Sequence, residues 1–294
     1  MTAPDFQLDP QLVRRRAGRA AADYASVDTL AREISRRMSE RLDYIRIEPK
    51  RILDLGCGPG SDLAAFAARY PGTPRIAIDS APAMLAQARG ERGLLKRLMN
   101  FGKPAEPDFV CADATALPLA RGSVSLAWSN LMLQWLHDPL PALKEINRVL
   151  EVGGLLMFST LGPDTLKELR AALPASKSEH LHRFIDMHDL GDALVGAGFS
   201  DPVMDMEMLT VTYAKLDDLF HDLRASGSAN AAVSRPRGLV GKGHWQHLRA
   251  AYEALRRDGR LPATVEVVYG HAWKAAPKVT DDGRAIIRFE RKPG

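Results

Sequence analysis

Cysteine is nearly missing: Cys57 and Cys111 are the only two in 294 residues. That excludes a disulfide framework and points to a reducing compartment. No apolar run approaches the ~20 residues of a membrane span. The opening MTAPDFQLDP lacks the apolar core of a secretory signal. A soluble, cytoplasmic protein with no membrane partner is expected. Nor does one sign of charge dominate. Forty basic and 36 acidic side chains leave a net charge of +4, too sparse for a dedicated nucleic-acid binder. Repeats and low-complexity tracts are missing, which excludes solenoids and long disordered linkers. What remains is an ordinary apolar content of 46%, enough for a sizeable core. The length allows one large domain with insertions or two small ones.

Strand and helix patterns alternate through most of the chain. Residues 11–48 are helical in pattern, with Ile34, Met38, Leu42 and Ile45 on one face. Strands are expected at 52–55, 75–79, 108–113, 123–130 and 154–160, with helices between them. A further helix, DMHDLGDALVGAGF, precedes strand segments at 203–213 and 263–273. This order implies an α/β fold with a doubly wound, mostly parallel sheet. Two stretches interrupt it, a basic insertion at 91–107 and a segment at 163–186 with an amphipathic helix (DTLKELRAAL) and a His-containing loop. Residues 214–262 read as a helical insertion. From 222 to 260 it carries eight Lys/Arg against three Asp/Glu.

The stretch RILDLGCGPG (51–60) concentrates the chemistry. A short buried strand ends in Gly56, Gly58 and Gly60, and Ser61 is placed to cap the next helix. Such a turn lets a ligand press against bare main chain at a helix N-terminus. The spacing G-x-G-x-G differs from the dinucleotide pattern G-x-G-x-x-G. Asp54 interrupts the apolar strand two residues before the first glycine. Asp79 ends the second strand about 20 residues on, where a carboxylate bonds ribose hydroxyls. Asp113 ends the third, within reach of an adenine amino group. Three carboxylates disfavour a pyrophosphate and suit a ligand with a cationic centre and an ammonium group. Cys57 is a small filler within the turn, because no base stands beside it. No metal site is expected.

These residues resemble the class I S-adenosylmethionine-dependent methyltransferases. The resemblance implies a Rossmann-like, seven-stranded sheet of order 3-2-1-4-5-7-6 with strand 7 antiparallel, and S-adenosylmethionine as cofactor. It implies that Asp54, Gly56, Cys57, Gly58 and Gly60 surround that cofactor. Asp79 would hold its ribose, Asp113 and Ala114 would flank its adenine, and Ser80 and Ser129 would complete the cofactor-binding set. The segments SNLMLQW, FSTLGPDTLKELR, RRDGRLPAT and VEVVYGHAWK, with GRAAADY at 18–24, narrow the likeness. Together they resemble the malonyl-acyl-carrier-protein O-methyltransferases of biotin synthesis, over about Arg15 to Trp273. Two departures are Ala17 for the family's usual Phe and Val152-Gly153-Gly154 for Pro-Gly-Gly.

That resemblance implies a carboxylate nucleophile, already ionised at neutral pH, so no catalytic triad is needed. Tyr24, Gln134 and His271 are the candidate catalytic residues, with Trp135 as a wall and Arg19 or Arg148 as carboxylate partner. Arg148 reads equally as a structural ion-pair partner, and His271 as a satisfied core histidine. The implied partner is an acidic acyl carrier protein. It would dock on Arg14, Arg15, Arg16, Lys96, Arg97, Arg235, Arg237, Lys242, Arg256 and Arg257. The organisation expected is a helical lid (1–50), a cofactor-binding core (51–213), a basic cap (214–262), a final core strand (263–274) and a tail (275–294). Nucleic-acid bases are disfavoured, since Asn130-Leu131-Met132-Leu133 stands where a base methyltransferase carries Asn-Pro-Pro-Tyr. The alternatives are an arginine-modifying relative of complex I assembly factors, a small-molecule methyltransferase, and a cofactor-bound scaffold. A base-labile methyl ester would separate them.

Overall fold

A computed structural model describes residues 6–90, 106–173, 180–238 and 241–276. The basic insertion at 91–107 and the tail at 275–294 therefore lie largely outside the described residues, as do Lys96 and Arg97. Seven strands form one sheet of order β3-β2-β1-β4-β5-β7-β6. In chain order they are β1 Ile52–Leu55, β2 Arg75–Asp79, β3 Asp108–Cys111, β4 Val124–Asn130, β5 Leu150–Leu161, β6 Phe199–Tyr213 and β7 Leu261–Lys274. The first five run parallel, and β7 enters antiparallel between β5 and β6. The helices are α1 Pro10–Ala20, α2 Thr29–Arg41, α3 Leu63–Arg69, α4 Pro82–Arg89 and α5 Leu140–Val149. They continue with α6 Lys167–Ala172, α7 Met187–Gly196, α8 Leu216–Ala225 and α9 Lys242–Glu253. Among the described residues, no helix is long and apolar enough to cross a membrane.

Both faces of the central strands β1, β4 and β7 are buried, which explains their unbroken apolar runs. Leu53, Leu55, Leu156 and Phe158 pack with Leu143 and Ile146 of α5 and Leu194 of α7. The opposite face packs Leu126, Trp128, Met157 and Val267 against Phe66 of α3 and Ile34 and Met38 of α2. Ile34 and Met38 are fully buried, so α2 is a core helix as well as a cover. The helical pattern expected over 11–48 is broken at 21–28. There Tyr24–Ser26 forms a single 3-10 turn, with the Ser26 hydroxyl donating to the Asp23 carbonyl at 2.6 Å. Local side-chain bonds of this kind compete with helix continuation.

A satellite core joins α6, α8 and α9 to the start of β7, through Leu169, Leu219, Leu248, Tyr252 and Leu261. The expected helix over 164–173 shortens because Asp164 N–H donates to the buried Glu266 carboxylate (2.6 Å), and Leu166 turns left-handed (φ 55°). The N-terminal segment is fastened to the 226–233 loop. Asp9 N–H donates to the Ala231 carbonyl (3.0 Å), and Val233 N–H donates to that of Gln7 (2.8 Å).

Gly270 sits opposite Phe158 across β7 and β5. A Cβ there would lie 2.2–2.9 Å from the Phe158 ring. Gly270→Ala should therefore cost about 1–3 kcal/mol through overpacking, read as a lower urea midpoint. An unchanged midpoint would show that the ring has room to move.

Candidate active site

The three glycines of the β1–α3 turn have separate duties. All have positive φ (76°, 52° and 80°), which side chains adopt only under strain. A Cβ on Gly56 would lie 2.5 Å from Met132, and one on Gly60 would meet Leu63 at 2.9 Å and Ala88 at 3.2 Å. A Cβ on Gly58 would meet nothing within 4 Å: its open side faces the cavity. Asp79 fixes the turn to the end of β2. One carboxylate oxygen accepts from Gly58 N–H at 3.0 Å and the other from Ala81 N–H at 2.7 Å. Helix α3 begins at Leu63, with Asp62 at the cap position and no side-chain cap bond. Ser61 therefore does not cap it.

Buried acid surrounds this turn. Burial, with Asp62 and Asp79 nearby, holds the Asp54 carboxyl well above the usual carboxylate range. Asp54 is 2% exposed, and its Oδ2 has no hydrogen-bond partner. Burial also raises Asp62, partly offset by donors from Ser35 and Trp128, which reach it at 2.7 and 2.8 Å. Asp79 is raised by burial against the pull of its backbone donors. Tyr24 borders the same field. Burial first, then Asp28, Asp62 and Asp79, push its phenol up to about 12, so it is a neutral donor. A cationic ligand would favour the ionised form of all three carboxyls.

A continuous cavity of about 1000 Å³ runs from this turn past Gln134, Trp135 and His182 to Phe220 and Arg224 on α8. That is the upper range for small-molecule sites. Two of its lining residues hold left-handed backbone without being glycine, Leu131 (φ 54°) and Leu166 (φ 55°). Strain of this kind costs about 1–3 kcal/mol and clusters at functional sites. Leu131 is held by N–H donation to the Ser159 hydroxyl at 3.0 Å, and Leu166 by donation to the Thr264 carbonyl at 2.7 Å. Thr160 donates to Gln134 Oε1 (3.3 Å), so the amide nitrogen of Gln134 is the group left to donate. His182 Nε2 donates to the Gln134 carbonyl at 2.8 Å. Burial lowers the His182 pKa to about 4, so the ring is neutral. Phe6, Trp135 and Phe184 surround it.

The cavity brings together Tyr24, Gly56, Gly58, Asp79, Ser80, Asp113, Ala114, Gln134 and Trp135. Asp113 accepts from Thr115 N–H (2.9 Å) and lies 4.0 Å from Arg14. Several expected site residues lie outside its lining. Cys57 packs beneath the turn on Ala77 and Leu85, where burial pushes its thiol far up. Ser129 is fully buried, because strand alternation turns it to the face opposite Trp128 and Asn130. Asp54 and Gly60 support the turn from behind. His271 lies in mid-sheet opposite Met157 and Val203. The antiparallel β7 brings its first residues, Ala263 and Val265, to the cavity instead. Arg148 pairs with Glu145 at 2.7 Å and donates to the Leu117 and Leu119 carbonyls. Arg19 is exposed at the end of α1. Sequence reasoning passed over Asp62, Trp128 and His182. Asp62 adjoins the glycine turn, but its partners lie 27 and 66 residues away. Among the described residues, no group of three or more His, Cys, Asp or Glu could hold a metal ion.

Residues 53–158 match a family described as "Methyltransferase domain". The YcgJ protein of Bacillus subtilis shares the fold at a TM-score of 0.56 and 13% identity, covering 83% of this chain and 100% of that one. The [4+2]-cyclase SpnF shares it at 0.50 and 18%, covering 82% of each. Such likeness shows a fold that hosts more than one chemistry. Sheet order, glycine turn and acidic strand ends together define a class I, Rossmann-like methyltransferase. The malonyl-[acyl-carrier protein] O-methyltransferase of Laribacter hongkongensis is 50% identical over 291 residues, 97% of each chain. That of Gallionella capsiferriformans is 49% identical over 289 residues, 98% of this chain and 99% of its own. The chain belongs to the malonyl-[acyl-carrier protein] O-methyltransferase family.

Asp54 supplies a test of the acidic cradle. Its folded pKa is raised, so the ionised form costs stability above that pKa, and the cost fades as pH falls through it. Ligand-free Asp54→Asn should be more stable than the unaltered protein at pH 8, with the gap narrowing toward pH 5. Urea midpoints at both values measure this. A gap independent of pH would contradict it.

Proposed function

We propose that this protein transfers a methyl group from S-adenosylmethionine to the free carboxylate of malonyl-acyl carrier protein, giving the malonyl methyl ester that begins biotin synthesis. Its kinship, near 50% identity over almost the whole length of relatives so named, carries the reading. The site fits that cofactor chemically. Gly58 leaves open main chain on the cavity, Asp79 lines the cavity at the end of β2, where a carboxylate bonds ribose hydroxyls, and the unpartnered Asp54 Oδ2 lies just behind the turn. None of Asp54, Asp62 and Asp79 has a cationic partner among the described residues, as suits a sulfonium with an ammonium group.

S-adenosylmethionine supplies an electrophilic methyl carbon on sulfur. The chain's own residues hold the nucleophile in line with it and exclude water. The malonyl carboxylate is ionised at neutral pH, so no protein base has to remove a proton. No proton moves at its oxygen, so no residue of the chain would have to act as acid or base in the transfer. The Tyr24 hydroxyl and the Gln134 amide nitrogen are neutral donors in the cavity. They orient the carboxylate without the tight pairing that would quench it. Trp135 and His182 wall the approach. Such alignment is worth roughly 7–11 kcal/mol in favourable cases.

The carrier docks through the basic faces of α1 and of the 214–262 segment. An acidic carrier meeting a cationic face associates quickly and exchanges readily. Not every candidate cation is free for this. Arg256 is pinned to Glu253 and to the Ala214 and Gly259 carbonyls, and Arg16 is half-buried with an unpartnered NH1.

Incubation with methyl-labelled cofactor and malonyl-carrier should yield a base-labile ester. Tyr24→Ala should lower kcat on the order of 10²-fold while changing cofactor affinity far less. No ester from the unaltered protein would contradict the substrate assignment. Full turnover by the variant would remove Tyr24 from the site.

A further inference from the structure

A malonyl thioester differs from an acetyl thioester by one carboxylate, and reading that difference takes a cation. Tyr24 and Gln134 donate as readily to a thioester carbonyl as to a carboxylate. Among the described residues no lysine lines the cavity, and its arginines are Arg14, Arg37 and Arg224. Burial keeps His182 neutral, its pKa lowered to about 4. Two of the arginines are engaged. Arg14 lies 4.0 Å from Asp113. Arg37 donates to Glu33 at 2.7 Å and also pairs with Glu207.

Arg224, on α8, forms no ion pair among the described residues. Its charge adds to the field at Asp217, but Arg249 already grips that carboxylate at 2.6 and 2.9 Å. Asp222 carries a hydrogen bond with Tyr213, and residues two apart on a helix do not face each other. Asp28, another acid of the cavity wall, is held by Arg32.

Helix α8 carries Arg224 to the glycine-turn end of the cavity. The helix starts just past β6, at the edge of the sheet, and its ten residues span about 15 Å. Beyond its last turn, Gly227 N–H donates to the Arg224 carbonyl at 3.1 Å. A Cβ on Gly227 would lie 3.4 Å from Ala20 and from the Arg16 carbonyl oxygen. Ala20 packs with Ala81 and Met84 at the start of α4, and Tyr24 joins the same cluster. Ala81 is the residue whose N–H the Asp79 carboxylate accepts. The last turn of α8 therefore stands by Tyr24 and the glycine turn, where a nucleophile has to arrive. The other side chains that α8 turns to the cavity include Leu219, Phe220 and Leu223, which have nothing to offer an anion.

We infer that Arg224 is the specificity-determining residue for the malonyl carboxylate, gripping one of its oxygens and leaving the other for the transfer. The inference deepens the proposed function and rests on it for the identity of the substrate. The planar guanidinium fork matches a carboxylate. Arg224 is exposed, so water screens the pair and the carboxylate stays nucleophilic. An acetyl thioester leaves the guanidinium without its partner. The methyl ester carries no charge, so the same grip is lost once product has formed.

Calorimetry on protein saturated with S-adenosylhomocysteine, which has no methyl group to give, tests the grip without turnover. The probes are malonyl-pantetheine and its methyl ester, neither of which carries phosphate or carrier. The unaltered protein should bind the free acid about tenfold tighter than the ester, the scale of one charge-assisted hydrogen bond. That advantage should fall to about one in Arg224→Gln, with S-adenosylhomocysteine affinity and urea midpoint unchanged. Equal binding of acid and ester by the unaltered protein overturns the inference, and so does an advantage retained in Arg224→Gln. Weaker S-adenosylhomocysteine binding by the variant would assign Arg224 to the cofactor's own carboxylate and overturn it as well. In turnover, Arg224→Gln should lower kcat/KM about tenfold for malonyl-carrier and for malonyl-pantetheine alike. A loss confined to the carrier substrate makes Arg224 a docking residue and overturns the inference. If the unaltered protein shows the acid advantage but methylates neither substrate, the carboxylate grip stands and the proposed reaction falls.

Discussion

The grip of Asp79 on the glycine turn holds the site in place. Its carboxylate ties Gly58 N–H at the end of β1 to Ala81 N–H at the start of α4. Without that bridge the bare main chain between Gly56 and Gly60 would have only the Ile78 carbonyl, which accepts from Gly56 and Cys57, to fix it to β2. With it, one side chain both shapes the turn and faces the cavity. Its costs are visible nearby. Asp54, Asp62 and Asp79 are all buried acids raised by desolvation. Only Asp54 keeps an oxygen that nothing satisfies. Unmet polar atoms of this kind sit where stability gives way to function.

Around that turn the fold builds a route. The sheet places the strand ends in order, and the cavity follows them from β2 to β6. Chain-distant segments close over it. The 6–9 segment pairs its backbone with 231–233, and Gly227 packs on Ala17 and Ala20 of α1. The N-terminal segment and the 226–233 loop therefore form one connected cover. The strained residues Leu131 and Leu166 border the same space. Each is locked by the hydrogen bond its N–H donates to a neighbouring strand, so the cavity wall is fixed before any ligand arrives.

Much of this was legible in the residues because it is local. Apolar runs and their spacing marked the strands, and G-x-G-x-G with Asp79 and Asp113 marked the turn and its ligand. The sheet order followed from the family resemblance. What was not legible depended on direction, parity or distance. His271 was placed at the site, but an antiparallel strand presents its first residues there, not its middle. Ser129 was grouped with the cofactor residues, yet alternation in β4 sends Trp128 and Asn130 one way and Ser129 the other. Arg148 carries the charge a carboxylate partner needs, but its neighbour Glu145 claims it first. Asp62 carried no signal of its own. Its role as the hub for Ser35 and Trp128 exists only once α2, α3 and β4 are packed together.

The account stands on a nucleoside methyl donor seated against bare main chain at Gly56–Gly60 and gripped by Asp79. Amide hydrogen exchange, with and without S-adenosylhomocysteine, tests that seat directly on the intact protein. Binding should slow exchange at Gly56–Gly60 and at Asp79–Ala81. No uptake of the nucleoside, or uptake that leaves both segments unprotected, would contradict it.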